Sequence, residues 1–157
     1  NNAEDAKRFV EATKYSPDGF RSSGPTRANL VHGQNYHEEA NATIISLAMV
    51  ETVEAVRNVD EIASTEGLSG IYIGPSDLSV SMGFNPGLDR REPEVEDSIN
   101  KIFHACKKNN IKACIHCLSP DYVKDRYQKG YDLATIGTDV RFFLEIINNK
   151  VNEVRNN

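Results

Sequence analysis

Residues 43–83 read TIISLAMVETVEAVRNVDEIASTEGLSGIYIGPSDLSVSMG, and their pattern decides the fold class. Residues 43–50 form a short apolar run rich in β-branched side chains, as expected of a strand buried on both faces of a parallel sheet. Residues 52–65 carry Val53, Val56, Val59 and Ile62 at helical spacing and predict a helix. Residues 68–73 make a second buried strand that stops at Gly74-Pro75. Strand, helix and strand in succession is a βαβ unit, and its crossover makes the two strands parallel.

The pattern repeats downstream. A loop holding Gly83, Pro86 and Gly87 leads to a helix over 93–109 with Pro93 in its first turn, then to a strand over 111–117. Ser119-Pro120-Asp121 is a capping sequence with Ser119 at the N-cap, and the helix it starts stops near Gly130. Residues 133–136 form a fourth strand and 139–154 a closing helix. Upstream lie an amphipathic helix over 3–14, a Gly- and Pro-rich loop over 15–26, and a weaker helix over 27–40. The chain thus reads as one domain over 1–157, with βα units at 43–65, 68–109, 111–130 and 132–154. Units of roughly 25 to 35 residues fit either an open doubly wound sheet or part of a (βα)8 barrel. No GxGxxG or GxxxxGK[ST] follows a strand, which removes the best support for a nucleotide-binding open sheet. A complete barrel takes ~250 residues, more than this chain has.

The 157 residues are 39% hydrophobic and 26% charged, with a net charge of −5 and no long run of either sign. That balance points away from nucleic acid and anionic membranes as partners. No apolar stretch approaches the ~20 residues of a membrane span and no signal-peptide pattern opens the chain, so a soluble, cytoplasmic protein is expected. Three cysteines, an odd number, suit reduced thiols rather than a disulfide framework.

In both architectures ligands bind beyond the carboxyl ends of the strands. Three of the four strands deliver a carboxylate there: Glu51, Asp77 and Asp139. Glu51 and Asp77 follow adjacent strands, which lie ~4.8 Å apart in a parallel sheet, so the two can share one hard divalent cation. An acid just after a strand is also a common helix cap or first-turn residue. The residues alone leave both readings open, and for Asp139 the capping role is preferred.

The surroundings of these acids match a family. Met49-Val50-Glu51-Thr52, with Glu54-Ala55 and Asn58-Val59-Asp60-Glu61-Ile62 after it, resembles the M-I-E-T…E-A-x-x-N-x-x-E-I stretch of the HpcH/HpaI metal-dependent 2-keto-acid aldolases. Residues 67–83, GLSGIYIGPSDLSVSMG, are similar to the family segment G-V-D-G-x-x-I-G-P-x-D-L-S-x-S-M-G. Tyr15-Ser16-Pro17-Asp18-Gly19-Phe20-Arg21 resembles Y-P-P-x-G-x-R, and Ile136-Gly137-Thr138-Asp139 resembles V-G-S-D.

The resemblance implies the C-terminal part of a TIM (βα)8 barrel of the pyruvate/phosphoenolpyruvate-binding type. It implies a carbon–carbon lyase that cleaves a 4-hydroxy-2-oxo acid to pyruvate and an aldehyde. By position, Glu51 and Asp77 match the two carboxylates that hold Mg²⁺, or Mn²⁺ or Co²⁺, and the ion acts as a Lewis acid towards the 2-keto acid. Ser76 and Asp77, just after Gly74 and Pro75, match the backbone N–H groups that bind the substrate carboxylate. Met49 stands where some members carry Gln.

Departures from the pattern are also informative. Ser16 replaces a Pro, Ser22 a Gly and Cys114 a Gly, which leaves the family role of Arg21 open beside its reading as a surface or loop-bracing residue. Cys114 and Cys117 point to opposite faces of a strand and make a poor zinc chelate. His116 reads as a hydrogen-bonded structural histidine or a pocket-lining one, and His32, His37 and His104 as surface residues. The Asn41-Ala42-Thr43 sequon reads as chance. No segment matches the family's catalytic His or the Arg that polarises the keto group, so the base is unknown and the chain aligns with helix four and units five to eight. Half a barrel leaves two strand edges and an apolar interior open, so a homo-oligomer or association with the other barrel half is expected. Two other readings stand beside this one. A citrate-lyase-β-like acyl-CoA lyase needs clustered basic residues for CoA phosphates, and none lies at these strand ends. A truncated, non-catalytic domain that self-associates would bind no metal.

Overall fold

The computed structural model describes residues 1–24 and 26–155. Pro25, within the expected 15–26 loop, and residues 156–157 lie outside the described residues. Four strands, β1 (Leu47–Val50), β2 (Gly70–Ile73), β3 (Lys112–Cys117) and β4 (Leu133–Ile136), form one parallel sheet in the spatial order β1-β2-β3-β4. Each strand pairs with its successor in the chain. A doubly wound sheet reverses direction at a switch point, whereas a walk in chain order is the arrangement of a barrel wall.

Nine helices are found among the described residues: α1 (Ala3–Thr13), α2 (Thr26–His32), α3 (Tyr36–Thr43), α4 (Val53–Arg57), α5 (Val59–Ala63), α6 (Pro75–Ser81), α7 (Pro93–Lys108), α8 (Pro120–Gln128) and α9 (Asp139–Arg155). Helix α7 shows why these segments are helical. Pro93 sits at its N-terminal end, Glu94 and Glu96 face the positive end of its dipole, and Lys107 and Lys108 the negative end. Its Val95, Ile99, Ile102 and Cys106 are buried with Ile71, Ile73, Ala113, Ile115 and Cys117 of the sheet in one apolar cluster. Each such aliphatic side chain contributes ~1.5–3 kcal/mol on burial.

The register divides the sheet into two faces. Ile71, Ile73, Ala113, Ile115 and Cys117 face the helices. Met49, Tyr72, Cys114 and Leu133 lie level with one another on the opposite face, with His116 and Thr135 in the next layer. In a closed barrel that opposite face is the interior. Here Met49 is 54% exposed and Leu133 39%. Helix α9 is also open to solvent: none of its residues is buried, and Phe143, Leu144 and Ile146 are exposed.

Several boundaries differ from the sequence expectation. The helix expected over 27–40 is two, α2 and α3, because Gly33 turns the chain at φ 88°. The strand expected from residue 43 begins at Leu47, since Thr43 closes α3 with its hydroxyl donating to the Glu39 carbonyl at 3.1 Å. The helix over 52–65 breaks into α4 and α5 at Asn58, whose backbone leaves helical geometry and whose amide reaches the Asn1 carbonyl at 3.1 Å. Residues 75–81, expected as the start of a loop, form helix α6, for which Pro75 presets the first φ. Ser119 caps α8 as expected, accepting from Tyr122 N at 3.3 Å.

Candidate metal and carboxylate site

Strand β1 ends at Val50, so Glu51 is the first residue beyond it. Thr52 then caps α4, its hydroxyl accepting from Ala55 N at 3.1 Å. On the neighbouring strand, Gly74 N donates to the Val50 carbonyl at 3.2 Å, extending the ladder to the rim. Helix α6 starts immediately above, and Ser81 near its end accepts from Val53 N at 3.0 Å, tying α6 to the start of α4. These bonds fix Glu51 against the α6 entrance.

The Glu51 carboxylate lies over Gly74: a Cβ at position 74 would stand 2.5 Å from Oε2. Asp77 is exposed in the first turn of α6. Burial pushes the Glu51 carboxyl above its ordinary value, and the Asp77 charge pushes it further the same way. A carboxylate seated over a glycine, with a second carboxylate near enough to repel it, is suited to a hard, oxygen-bound cation. Among the described residues no group of three or more His, Cys, Asp or Glu side chains is placed to hold a metal. A cation at this rim would therefore take two protein carboxylates and complete its coordination with water or substrate.

Beside them, the N–H groups of Ser76 and Asp77 have no acceptor among the described residues, because Gly74 supplies no side-chain cap. Pro75 has no N–H to satisfy. The structure thus brings Glu51, Gly74, Pro75, Ser76 and Asp77 together. Asp139 is not part of this group. Its Oδ1 accepts from Val140 N at 2.8 Å, and the cap of α9 is Thr138, whose hydroxyl accepts from Arg141 N at 3.4 Å. The capping role expected of Asp139 therefore belongs to its neighbour, one residue earlier.

The remaining singled-out residues resolve individually. His116 Nδ1 lies 3.0 Å from Tyr72 Oη and 2.9 Å from Thr135 Oγ1, and those two hydroxyls also bond each other. The sequence names His116 but not these partners, which only the strand register brings alongside. Arg21 braces the loop: its guanidinium stacks 4.6 Å from the Tyr15 ring centre and Nη1 donates to Tyr36 Oη at 3.3 Å. Asn41 is fully engaged, accepting from Tyr15 N at 2.7 Å and donating to the Tyr15 carbonyl at 2.9 Å. Its amide is thus structural and not a free sequon acceptor. Cys114 faces the sheet interior and Cys117 the helices, and all three cysteines are unpaired. His32, His37 and His104 are exposed. No described helix is long and apolar enough to cross a membrane.

A parallel sheet walked in chain order, with helices on one face and the acidic side chains of Glu51 and Asp77 at its carboxyl rim, defines part of a βα barrel. The chain belongs to the HpcH/HpaI aldolase/citrate lyase family, whose match spans residues 1–145. It is 36% identical over 140 residues to a hydroxypyruvate/pyruvate aldolase of Rhizorhabdus wittichii, covering 89% of this chain and 56% of that protein. It is 31% identical over 156 residues to a 2-keto-3-deoxy-L-rhamnonate aldolase of Escherichia coli, covering 96% of this chain and 57% of that protein. A crystal structure of a family protein from Burkholderia cenocepacia superposes with a TM-score of 0.85 at 30% identity, covering 98% of this chain and 62% of that one. The chain thus spans a little over half the length of the curated relatives it matches.

Proposed function

We propose that this chain supplies the metal- and carboxylate-binding side of a lyase that cleaves a 4-hydroxy-2-oxo acid to pyruvate and an aldehyde. The observation that carries this reading is the Glu51 carboxylate seated over Gly74 beside Asp77, at the mouth of α6. Glu51 and Asp77 would hold a divalent ion, Mg²⁺, Mn²⁺ or Co²⁺, and that ion supplies Lewis acidity for the negative charge that develops on the keto oxygen as the bond breaks. The unbonded N–H groups of Ser76 and Asp77 orient the substrate carboxylate. Gly74 and Pro75 keep the backbone low and stiff, so substrate can approach these N–H groups. Hydrogen-bonding groups held in advance at the rim cost no reorganisation during the reaction. No residue here matches the family's general base or its keto-polarising Arg, so residues 1–157 contribute binding and charge stabilisation.

The open edges of β1 and β4 and the uncovered interior face support association with the rest of a barrel or with another copy of the chain. Sedimentation velocity measures this directly. For the site itself, Mn²⁺ and Mg²⁺ titrations by calorimetry are the deciding experiment. Glu51→Ala is expected to weaken binding at least tenfold, and unchanged affinity would overturn the assignment. Aldol cleavage of a 4-hydroxy-2-oxo acid tests the reaction.

A further inference from the structure

The interior face of the sheet carries one histidine, and its surroundings are unlike those of the other three. His32, His37 and His104 are exposed, whereas His116 is half-buried on β3 with two hydroxyl partners. The β1–β2 and β2–β3 registers pair Val50 with Ile73 and Ile73 with Ile115. One residue further along each strand, Glu51, Gly74 and His116 stand level in three successive strands. Glu51 and His116 therefore flank a position that has no side chain, two strand spacings or about 10 Å apart across the sheet. Gly74 thus leaves no side chain of its own between the Glu51 carboxylate and His116.

The hydrogen-bond ring fixes which way the imidazole presents itself. Tyr72 Oη, Thr135 Oγ1 and His116 Nδ1 are mutually within bonding distance. If Nδ1 accepts, one hydroxyl donates to it, the other hydroxyl donates to the first, and every hydrogen is used inside the ring. If Nδ1 carries a proton, it donates to one hydroxyl and the third hydrogen finds no acceptor in the ring. The arrangement that uses every hydrogen within the ring has Nδ1 accepting and places the ring hydrogen on Nε2. Among the described residues nothing accepts from Nε2.

We infer that His116 is a substrate-touching residue of this rim. Its Nε2–H donates a hydrogen bond to an oxygen of the 2-keto acid held at Glu51, Asp77 and the start of α6. Tyr72 and Thr135 are positioning residues that hold the ring in the donating tautomer. This inference rests on the lyase reading above and adds a contact to it on the third strand of the sheet.

Oxalate, a planar mimic of the pyruvate enolate, is the probe. With Mg²⁺ saturating, oxalate affinity is measured by calorimetry on the 157-residue chain and on His116→Ala and His116→Gln. His116→Ala is expected to lose about tenfold in oxalate affinity while Mg²⁺ affinity stays within twofold. His116→Gln, whose side-chain amide reaches close to the Nε2 position, is expected to recover most of the loss. Oxalate affinity within twofold of the parent in a folded His116→Ala chain overturns the inference and leaves the metal reading intact. Absence of Mg²⁺ binding by the parent overturns both. Should His116→Ala fail to fold, the parent labelled with ¹⁵N-histidine gives the answer by NMR. The His116 Nε2 resonance is expected to move on adding oxalate to the Mg²⁺-saturated chain, and an unmoved resonance overturns the contact.

Discussion

Glu51 and Gly74 occupy neighbouring strand ends, and the carboxylate of the first fills the volume that a side chain on the second would take. Gly74 has φ −102°, a conformation open to any residue. Its value at this position is therefore spatial, not conformational. Gly74→Ala should still fold but lose about 2–4 °C in Tm, because the tip of Glu51 can swing aside while its Cβ, 3.0 Å from the added methyl, moves only with the backbone. The displaced carboxylate would no longer sit beside Asp77, and Mn²⁺ affinity should fall about tenfold. Calorimetry and thermal melts on the same samples check both halves, and full retention of Mn²⁺ affinity would count against the site.

Glu51 also predicts a conflict between stability and binding. Its carboxyl is raised in the folded chain by burial and then by Asp77, so the folded state holds the proton more tightly than the unfolded one. Ionisation at neutral pH therefore costs folding stability, and that cost disappears as pH falls below the raised value. Glu51→Gln removes it, and the metal-free variant should melt ~1–3 °C higher than the parent at pH 7. Saturating Mg²⁺ should reverse the order by stabilising only the parent. Calorimetric scans with and without Mg²⁺ test this, and a metal-free variant less stable than the parent would refute it.

The alternation of strands and helices is readable in the sequence because buried parallel strands must be continuous apolar runs and their helices must present a stripe. The positions of Glu51 and Asp77 follow from the same pattern. Helix α6 is not readable in this way. Gly74, Pro75, Ser76 and Ser79 resemble loop composition, yet Pro75 starts the helix and the Ser79 hydroxyl is absorbed by donating to the Pro75 carbonyl at 2.6 Å. The breaks at Gly33 and Asn58 escape a periodicity argument because helical stripes continue on either side of them. Most remote from sequence reasoning are contacts set by register and packing. Tyr72 meets His116 and Thr135 across 44 and 63 residues of chain, and no local spacing encodes such a meeting.

Asp132 ties α7 to the start of β3 and gives a pH prediction. Burial would raise its carboxyl, but Lys107 Nζ at 2.7 Å, Ala113 N at 3.0 Å and Lys112 Nζ at 3.1 Å outweigh that and hold it at about 2, against an ordinary 3.8. A carboxyl lowered in the folded state stabilises the fold above its ordinary value and loses that contribution as pH falls through the lowered one. Asp132→Asn should cost ~1–2 kcal/mol at pH 7. The gap between parent and variant should close from about pH 4 down to pH 2. Urea denaturation across that range tests the sign, and a gap that widens in acid would refute it.

Arg126 on α8 is fully buried, and its two terminal nitrogens each meet a Glu96 oxygen of α7 at 2.8 Å while the guanidinium lies 4.1 Å from the Tyr122 ring centre. Removing one partner of a buried pair leaves a desolvated charge, which costs ~3–5 kcal/mol. Glu96→Ala should therefore lower the Tm by about 10 °C, at the ~2–4 °C per kcal/mol usual for a domain of this size. Replacing the charge with an apolar side chain, as in Arg126→Met, should cost much less, because no stranded cation remains and the stem still packs on Tyr122. The exposed pair Lys124–Asp121, 3.2 Å apart, provides the control, and Lys124→Ala should change stability by less than ~0.5 kcal/mol. If Glu96→Ala proves no more damaging than Lys124→Ala, the pair does not hold α8 to α7. Denaturation midpoints of the three variants decide this together.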